Sequence, residues 1–419
     1  MWEPQDMFQK RRYGDIFKSR RRVAIPPLAE ARGLLARGIM KIIHAFGSRA
    51  CAIKMAPLIK EGIRRGHKNV IVWSGQHYDD NLYLDLFDDL EIPRPDYDIE
   101  ARGSSPEIGA KILVEFEKIC KKEKPDIVLT HGDTFTAMFF SQAAALSLVP
   151  VGHVEAGLRT YSWEPFPEQI CTKTSDACSA LFFAATEKNR KDLLSEHAPE
   201  ERIFVVGNSV VDAALEHAVL AKKKSRITER FKIRHPFVFW SCHRKENMLS
   251  EKRMTGIFGS LLDMKEVNFF CSVLPSTQLA AEKYGFADKL KNAPHIIWEK
   301  CLPKYTDALC LMLESDLVLT DSGGMQEECA ALHIPCLTLR YVTDRPESVE
   351  AGANRCVGCE KENIVKEVKG ILGNQAAAKR MRGTKNPYGD GKTSGRIFDI
   401  IERFKGRLER WEKKIRKEA

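Results

Sequence analysis

A short apolar run that stops at a glycine or small polar residue, then an amphipathic helix, recurs along this chain, and few folds accommodate that alternation. Lys41 to Phe46 (K-I-I-H-A-F) halts at Gly47, and Ile53, Met55, Leu58, Ile59 and Ile63 then keep helical spacing from Cys51 to Ile63. N-V-I-V-W at 69–73 follows. A helix from Pro106 to Lys122 carries Ile108, Ile112, Phe116 and Ile119 on one face, and D-I-V-L-T at 126–130 runs into His131-Gly132-Asp133. A-L-F-F-A at 180–184 and I-F-V-V at 203–206 extend the series to Gly207-Asn208. A second series opens with F-V-F-W-S at 237–241, continues with N-F-F-C-S-V-L at 268–274 and reaches D-L-V-L-T at 316–320. Strands that alternate with helices and are apolar throughout belong in parallel sheets covered on both faces. The expected fold class is therefore α/β, with two doubly wound halves and a cleft between them.

Length agrees, because 419 residues exceed what one hydrophobic core usually serves. The expected division is a basic extension over 1–39, one domain over 40–207 and a second over 208–395, with Asn208 to Arg234 as connection. Residues 396–419 form a long amphipathic helix, read from Arg396 to Ile415, that packs back on the first domain. The net charge of +9 invites a nucleic-acid reading, but its distribution argues against one. Residues 1–39 hold nine Lys/Arg against four Asp/Glu, and residues 402–419 hold eight against four, so the tails carry the whole surplus. No run approaches the roughly 20 apolar residues of a membrane span, and no signal-peptide core interrupts the basic start. Twelve scattered cysteines, with Cys356 and Cys359 the lone C-x-x-C, read as reduced thiols. Nucleic acid, membrane span and metal are not expected, and the location is cytoplasmic.

Reactive residues sit just past the strands. Asp133 (H-G-D-T), Glu155 (H-V-E-A-G) and Glu168 (P-F-P-E) follow apolar runs and turn formers, at the carboxyl ends of strands where open α/β sheets bind ligands. Carboxyls crowded there have pKa values pushed apart into acid and base roles. D-S-G-G-M-Q-E-E at 321–328 places Ser322, Gly323 and Gly324 where a strand turns into a helix, a phosphate-binding arrangement, although a plain N-terminal cap by Ser322 explains the motif equally well. Glu328, one turn further, suits a ribose. Arg49, Lys54 and Arg345 add cations for a diphosphate, and His243 in C-H-R-K-E-N is placed to carry a proton or meet a phosphate. No G-x-G-x-x-G follows a strand, so no bound NAD and no other cofactor is expected. G-D-G-K-T at 389–393 lacks the first glycine of a Walker A loop, its place falling on Asn386, and Asn386-Pro387-Tyr388-Gly389 reads as a rigid turn.

In order along the chain, F-G-S-R with A-I-K-M-A-P-L, S-G-Q-H, H-G-D-T, P-V-G-H-V-E-A-G-L-R-T, P-F-P-E, G-N-S-V-V-D-A, C-H-R-K-E-N, D-S-G-G-M-Q-E-E, R-P-E-S-V-E-A-G and N-P-Y-G-D-G resemble the non-hydrolysing UDP-N-acetylglucosamine 2-epimerases, from about Lys41 to Ile401. The resemblance implies two Rossmann-like domains of the glycosyltransferase-B type with the active site in the interdomain cleft, a UDP-sugar substrate, a homodimer, and inversion at C2 that interconverts UDP-N-acetylglucosamine and UDP-N-acetylmannosamine. UDP is eliminated across C1–C2 to a 2-acetamidoglucal and re-added with the proton on the opposite face. On the matching positions, Asp133, Glu155 and Glu168 form the acid–base set with His243 near the diphosphate. Arg49, Ser322, Gly323 and Gly324 hold UDP, with Glu328 on its ribose. The family's G-T-R-P-E stands here as Gly47-Ser48-Arg49-Ala50-Cys51, and its P-E-x-x-N-R as Pro167-Glu168-Gln169-Ile170-Cys171-Thr172. Loss of that arginine raises the pKa of a neighbouring carboxyl, and Lys173 is the nearest substitute for its charge. These departures leave open a hydrolysing version that releases UDP and N-acetylmannosamine, an epimerase for a modified UDP-sugar, a glycosyltransferase of the same architecture, and a UDP-sugar-binding protein without activity.

Overall fold

The computed structural model describes the backbone of residues 38–75, 80–162 and 166–418, and side chains within these ranges except those of 80–84 and 409–418. Apart from residues 38 and 39, the expected basic extension lies outside the described residues. Residues 40–419 cluster as one compact unit.

Two wholly parallel sheets organise that unit. The first comprises β1 (Lys41–Phe46), β2 (Lys68–Trp73), β3 (Tyr97–Asp98), β4 (Ile127–His131), β5 (Val151–Ala156), β6 (Leu181–Ala184) and β7 (Ile203–Val205). The second comprises β8 (Phe237–Ser241), β9 (Asn268–Val273), β10 (Ile296–Lys300), β11 (Leu317–Thr320), β12 (Cys336–Thr338) and β13 (Asn354–Cys356). Their spatial orders are β3-β2-β1-β4-β5-β6-β7 and β10-β9-β8-β11-β12-β13. The winding therefore reverses between β1 and β4 in one sheet and between β8 and β11 in the other. Those reversals open crevices beyond the carboxyl ends, where loops diverge to opposite faces.

The helices begin where the sequence supplies caps. Ser48 Oγ accepts from the Cys51 amide at 3.3 Å and starts the helix Arg49–Arg64; Thr134 caps Phe135–Leu146, and Ser322 caps Gly323–Ala331. The final helix, Thr393–Glu418, lies against Arg49–Arg64, where Arg65 reaches Asp399, Glu402 and the Gly395 carbonyl, and Phe398 stacks on His67 with ring centres 5.6 Å apart. Segment 208–234 is more than the connection read from sequence. It contains the helix Ser209–Lys224, whose Val210, Val211, Ala213 and Ala214 are buried between the two halves. Strands β3, β10, β12 and β13 were not apparent from composition, since three of them are two or three residues long and Asn354–Cys356 is polar.

Each sheet has its own aromatic core. Phe116 meets Phe140 edge-on at 4.7 Å over the first, while Trp240, Phe258 and Trp298 cluster over the second at 5.8–6.3 Å. All twelve cysteines are free thiols. Among the glycines, the closest approach to another backbone is where Gly256 of the helix Glu251–Asp263 meets the chain at Cys359: an added Cβ would stand 2.1 Å from the Cys359 carbonyl oxygen. Alanine within a helix normally gains about 1 kcal/mol over glycine. Here G256A should instead lower the unfolding free energy by about 2 kcal/mol through overpacking. Urea unfolding measures it, and an unchanged or raised midpoint would contradict this packing.

Candidate functional site

The site is assembled from loops at the carboxyl ends of both sheets. After β4, Gly132 adopts a left-handed backbone (φ +74°) and leads to Asp133. At the carboxyl end of β5 the register of its pairing with β6 slips between Val154 and Ala156, and Glu155 itself holds φ +69°. A left-handed carboxylate residue costs about 1–3 kcal/mol and persists only where surrounding contacts enforce it. Those contacts converge on Oε1, which accepts from Lys54 Nζ at 2.8 Å, Asn208 Nδ2 at 2.6 Å and Arg345 Nη2 at 3.2 Å.

Lys54 and Arg345 have a second shared partner. Glu327, which sequence reasoning passed over in favour of its neighbour Glu328, takes Lys54 Nζ at 3.1 Å, Asn208 Nδ2 at 2.8 Å and Arg345 Nε at 2.5 Å. All these side chains are buried. Lys54 and Glu155 come from the first sheet and Glu327 and Arg345 from the second, so the cluster closes the floor of the cleft. Asp344 adds a bond to Arg345 at 3.0 Å and to Arg340 at 2.7 Å. Asn208 was legible only as a letter in G-N-S-V-V-D-A. Its amide donates to the Tyr388 carbonyl at 2.8 Å, and the Tyr388 hydroxyl donates to the Arg345 carbonyl at 3.2 Å. The N-P-Y-G turn thus supports both residues.

Electrostatics separate the three carboxyls. Burial works against ionised Glu155, but Lys54 and Arg345 prevail and hold its pKa well below the ordinary carboxylate range. Burial raises Asp133, with Arg345 opposing and Glu155 adding to the rise. Burial also raises Glu168, which Arg244 opposes and Asp133 reinforces. Glu168 Oε1 accepts from Arg244 Nη1 at 2.6 Å, while its buried Oε2 has no hydrogen-bond partner. Lys173, the substitute read from sequence, turns away to Glu196 at 3.5 Å and is half exposed, so the cation beside Glu168 comes from the opposite sheet. Cys171 is fully buried and Thr172 Oγ1 accepts from Arg159 at 3.4 Å. Cys51 packs with its thiol 3.7 Å from the His131 carbonyl.

On the second sheet, buried Asp321 gathers the loop after β8, accepting from the amides of His243 and Arg244 at 2.9 Å and from Asn247 Nδ2 at 3.0 Å. This holds His243 at the cleft, its Nδ1 3.5 Å from Asp321 and its side chain about a third exposed. Ser322 Oγ caps its helix by accepting from the Met325 amide at 3.4 Å. A Cβ on Gly324 would meet nothing closer than Ser322 Oγ at 4.0 Å, leaving that backbone approachable, and one on Gly323 would lie 3.5 Å from Arg244 and Asp344. The capping role and the anion-binding geometry coexist here. Glu328 is buried and accepts from the Tyr305 hydroxyl at 2.8 Å, with burial pushing its pKa up to about 7. Among the cations read from sequence, Lys54 and Arg345 are bound into the buried cluster, whereas Arg49 is half-buried and bridges to the second sheet through the Pro303 carbonyl at 2.5 Å.

A family profile described as UDP-N-acetylglucosamine 2-epimerase matches residues 62–402. The UDP-N-acetylglucosamine 2-epimerase of Methanocaldococcus jannaschii is 36% identical over 371 residues, spanning 86% of this chain and 99% of the relative. The crystal structure of the Neisseria meningitidis UDP-GlcNAc 2-epimerase bound to UDP-GlcNAc superposes with a TM-score of 0.80 at 32% identity, over 86% of this chain and 99% of that one. The M. jannaschii enzyme in complex with UDP-GlcNAc and UDP gives 0.78 at 35% identity, over 87% and 99%.

The buried cluster predicts its own stability effects. K54M leaves Glu155 and Glu327 short of a cation and should cost about 3–5 kcal/mol in urea unfolding. Adding E327Q should restore part of that loss, and strict additivity of the two changes would disprove the coupling. Glu328 sets a pH dependence. Its folded pKa, about 7, stands above the ordinary 4.5, so its contribution is complete below 4.5 and lost as pH rises through 7. Wild type should therefore lose stability relative to E328Q between about pH 5 and about pH 8, as paired unfolding curves will report.

Proposed function

The chain belongs to the UDP-N-acetylglucosamine 2-epimerase family, and from that premise we propose how its residues invert C2 of UDP-N-acetylglucosamine to give UDP-N-acetylmannosamine. Its fold is the glycosyltransferase-B type, two Rossmann-like domains with the active site in the interdomain cleft. We place the domain limits at 40–207 and 208–395, with the last helix returning to the first domain.

The C2 hydrogen has no adjacent carbonyl, so its removal alone would leave an unstabilised carbanion. Loss of UDP from C1 in the same event moves the electron pair into a C1–C2 double bond. Re-addition then requires a proton from the opposite ring face, so the site needs one carboxylate and one carboxylic acid that exchange roles. Asp133 and Glu168 suit this pair. Both are raised in pKa by burial, and the charge of Asp133 adds to the rise at Glu168, so a carboxylate beside a carboxylic acid is the state this environment favours. That shared upward shift of two carboxyls at the cleft is the observation that supports the reading. Glu155, held ionised by Lys54 and Arg345, supplies a fixed negative charge against the ring and is the third member of the set. His243, Arg49, Ser322 and the Gly323 and Gly324 amides are assigned to the diphosphate, which must be retained while it is cleaved from the sugar. Glu328, after exchanging its Tyr305 contact, is assigned to the ribose. The missing Asn-Arg pair is compatible with activity because Arg244 supplies a cation to Glu168.

Among the described residues no helix is long and apolar enough to cross a membrane. We further propose a cytoplasmic homodimer serving cell-surface polysaccharide synthesis, supported by the family resemblance.

Incubation with UDP-N-acetylglucosamine in heavy water should place deuterium at C2 and produce the manno isomer. D133N and E168Q should each slow exchange about 100-fold or more. Folded protein that gives no exchange would refute the reading, and free UDP accumulating in step with free sugar would assign the hydrolysing outcome instead.

A further inference from the structure

The Asp133 carboxyl has no hydrogen bond or ion pair within reach among the described side chains, so its position depends on the backbone that carries it. That backbone is clamped from β5. The Gly132 amide donates to the Val154 carbonyl at 2.9 Å, and the Gly132 carbonyl, which is half of the peptide plane entering Asp133, lies 2.8 Å from His153 Nε2. His153 is fully buried, and its other nitrogen, Nδ1, lies 2.6 Å from Asp176 Oδ1. Asp176 Oδ2 accepts from Arg159 Nη2 at 2.8 Å and from the Gly157 amide at 3.2 Å. Arg159 is held in turn by Glu196 at 2.6 and 2.9 Å.

Hydrogen-bond chemistry fixes the state of this ring. A carbonyl oxygen can only accept, so Nε2 must carry a hydrogen. Asp176 Oδ2 is paired with the Arg159 guanidinium, a counter-charge suited to a carboxylate, and against a carboxylate Nδ1 donates as well. We propose that His153 is a positioning residue, an imidazolium that donates from Nε2 to Gly132 and from Nδ1 to Asp176 and thereby aims Asp133 at the sugar. The charges facing the ring are Asp176 from the helix Glu168–Ala177 and Arg159 from the loop after β5, with His131 on β4 and Glu155 further along its own strand. Burial opposes the ring's charge, but Asp176 and the Gly132 carbonyl outweigh burial and Arg159 and raise its pKa above 6.5. His131, by contrast, is driven down to about 3 by burial and stays neutral. The sign follows: the clamp is complete below the ordinary imidazole value and weakens as pH rises through the raised one.

This role rests on the proposed duty of Asp133, which D133N tests separately: if D133N keeps full exchange, the acid–base reading fails whatever the charge on His153. Nitrogen-15 spectra of histidine-labelled protein, with His153 assigned in the wild type by through-bond correlation of its ring to its own backbone, should show both ring nitrogens protonated near neutral pH. D176N preserves shape and removes the anion. It should lower kcat for C2 exchange by about 10- to 100-fold with KM nearly unchanged, and move the alkaline fall of kcat to lower pH. H153Q, a neutral donor without titration, should show reduced kcat and lose that alkaline fall. A neutral His153 tautomer at neutral pH in the wild type, or a D176N kcat–pH profile identical to wild type, would overturn the proposal. The wild-type spectrum decides the matter even if the variants fail to fold.

Discussion

Four buried charges, Lys54 and Arg345 against Glu155 and Glu327, set the arrangement on which the rest of the molecule depends. An isolated ion in such a place costs several kcal/mol, so each is tolerable only while its partners are present. Because each sheet contributes one cation and one carboxylate, the partners are complete only when the carboxyl ends of both sheets meet. Apolar faces of similar area could slide over one another. Charges that must each find a counterpart at 2.5–3.2 Å cannot, and the cleft acquires one geometry. Asn208 reinforces this by donating to both carboxylates from the segment that joins the sheets.

The α/β class was readable because the pattern behind it is periodic: apolar runs that end at Gly47, Gly132, Gly207 and Ser322 reveal strands whose side chains are buried on both faces. The reactive positions were readable for the related reason that a doubly wound sheet puts its loops at one end, so Arg49, Asp133, His243 and Ser322 shared a location before any coordinates. Partners were not readable. Nothing in the spacing of Arg244 and Glu168, or of Lys54 and Glu327, announces that they touch, because those contacts depend on how two sheets distant in the chain are apposed. Glu327 was missed for a local reason. In a helix, adjacent residues point about 100° apart, so a paired E-E commits the two side chains to different environments, and the sequence does not say which faces which. The charge replacing a missing arginine was sought nearby at Lys173, whereas proximity in the chain is a poor guide at a joint between sheets.

Glu155 illustrates how such a site sustains local strain. Its left-handed backbone turns the side chain out of the strand and down into the cluster, where three donors on one oxygen oppose the cost of that conformation. The same turn keeps Oε2 free of those donors, 3.9 Å from the neutral ring of His131. Strand slippage, backbone strain and ionisation are thus one feature: the carboxylate can be held ionised because the chain bends to reach its cations.

The bridge from Arg244 to Glu168 couples chemistry to shape. Each end belongs to a different sheet, so the proton affinity of Glu168 is a property of the assembled cleft. The Arg244 guanidinium holds down a pKa that burial and Asp133 raise, and the first sheet standing alone would keep the carboxyl and lose the cation. Titration of this one group therefore reads out whether both halves are in place.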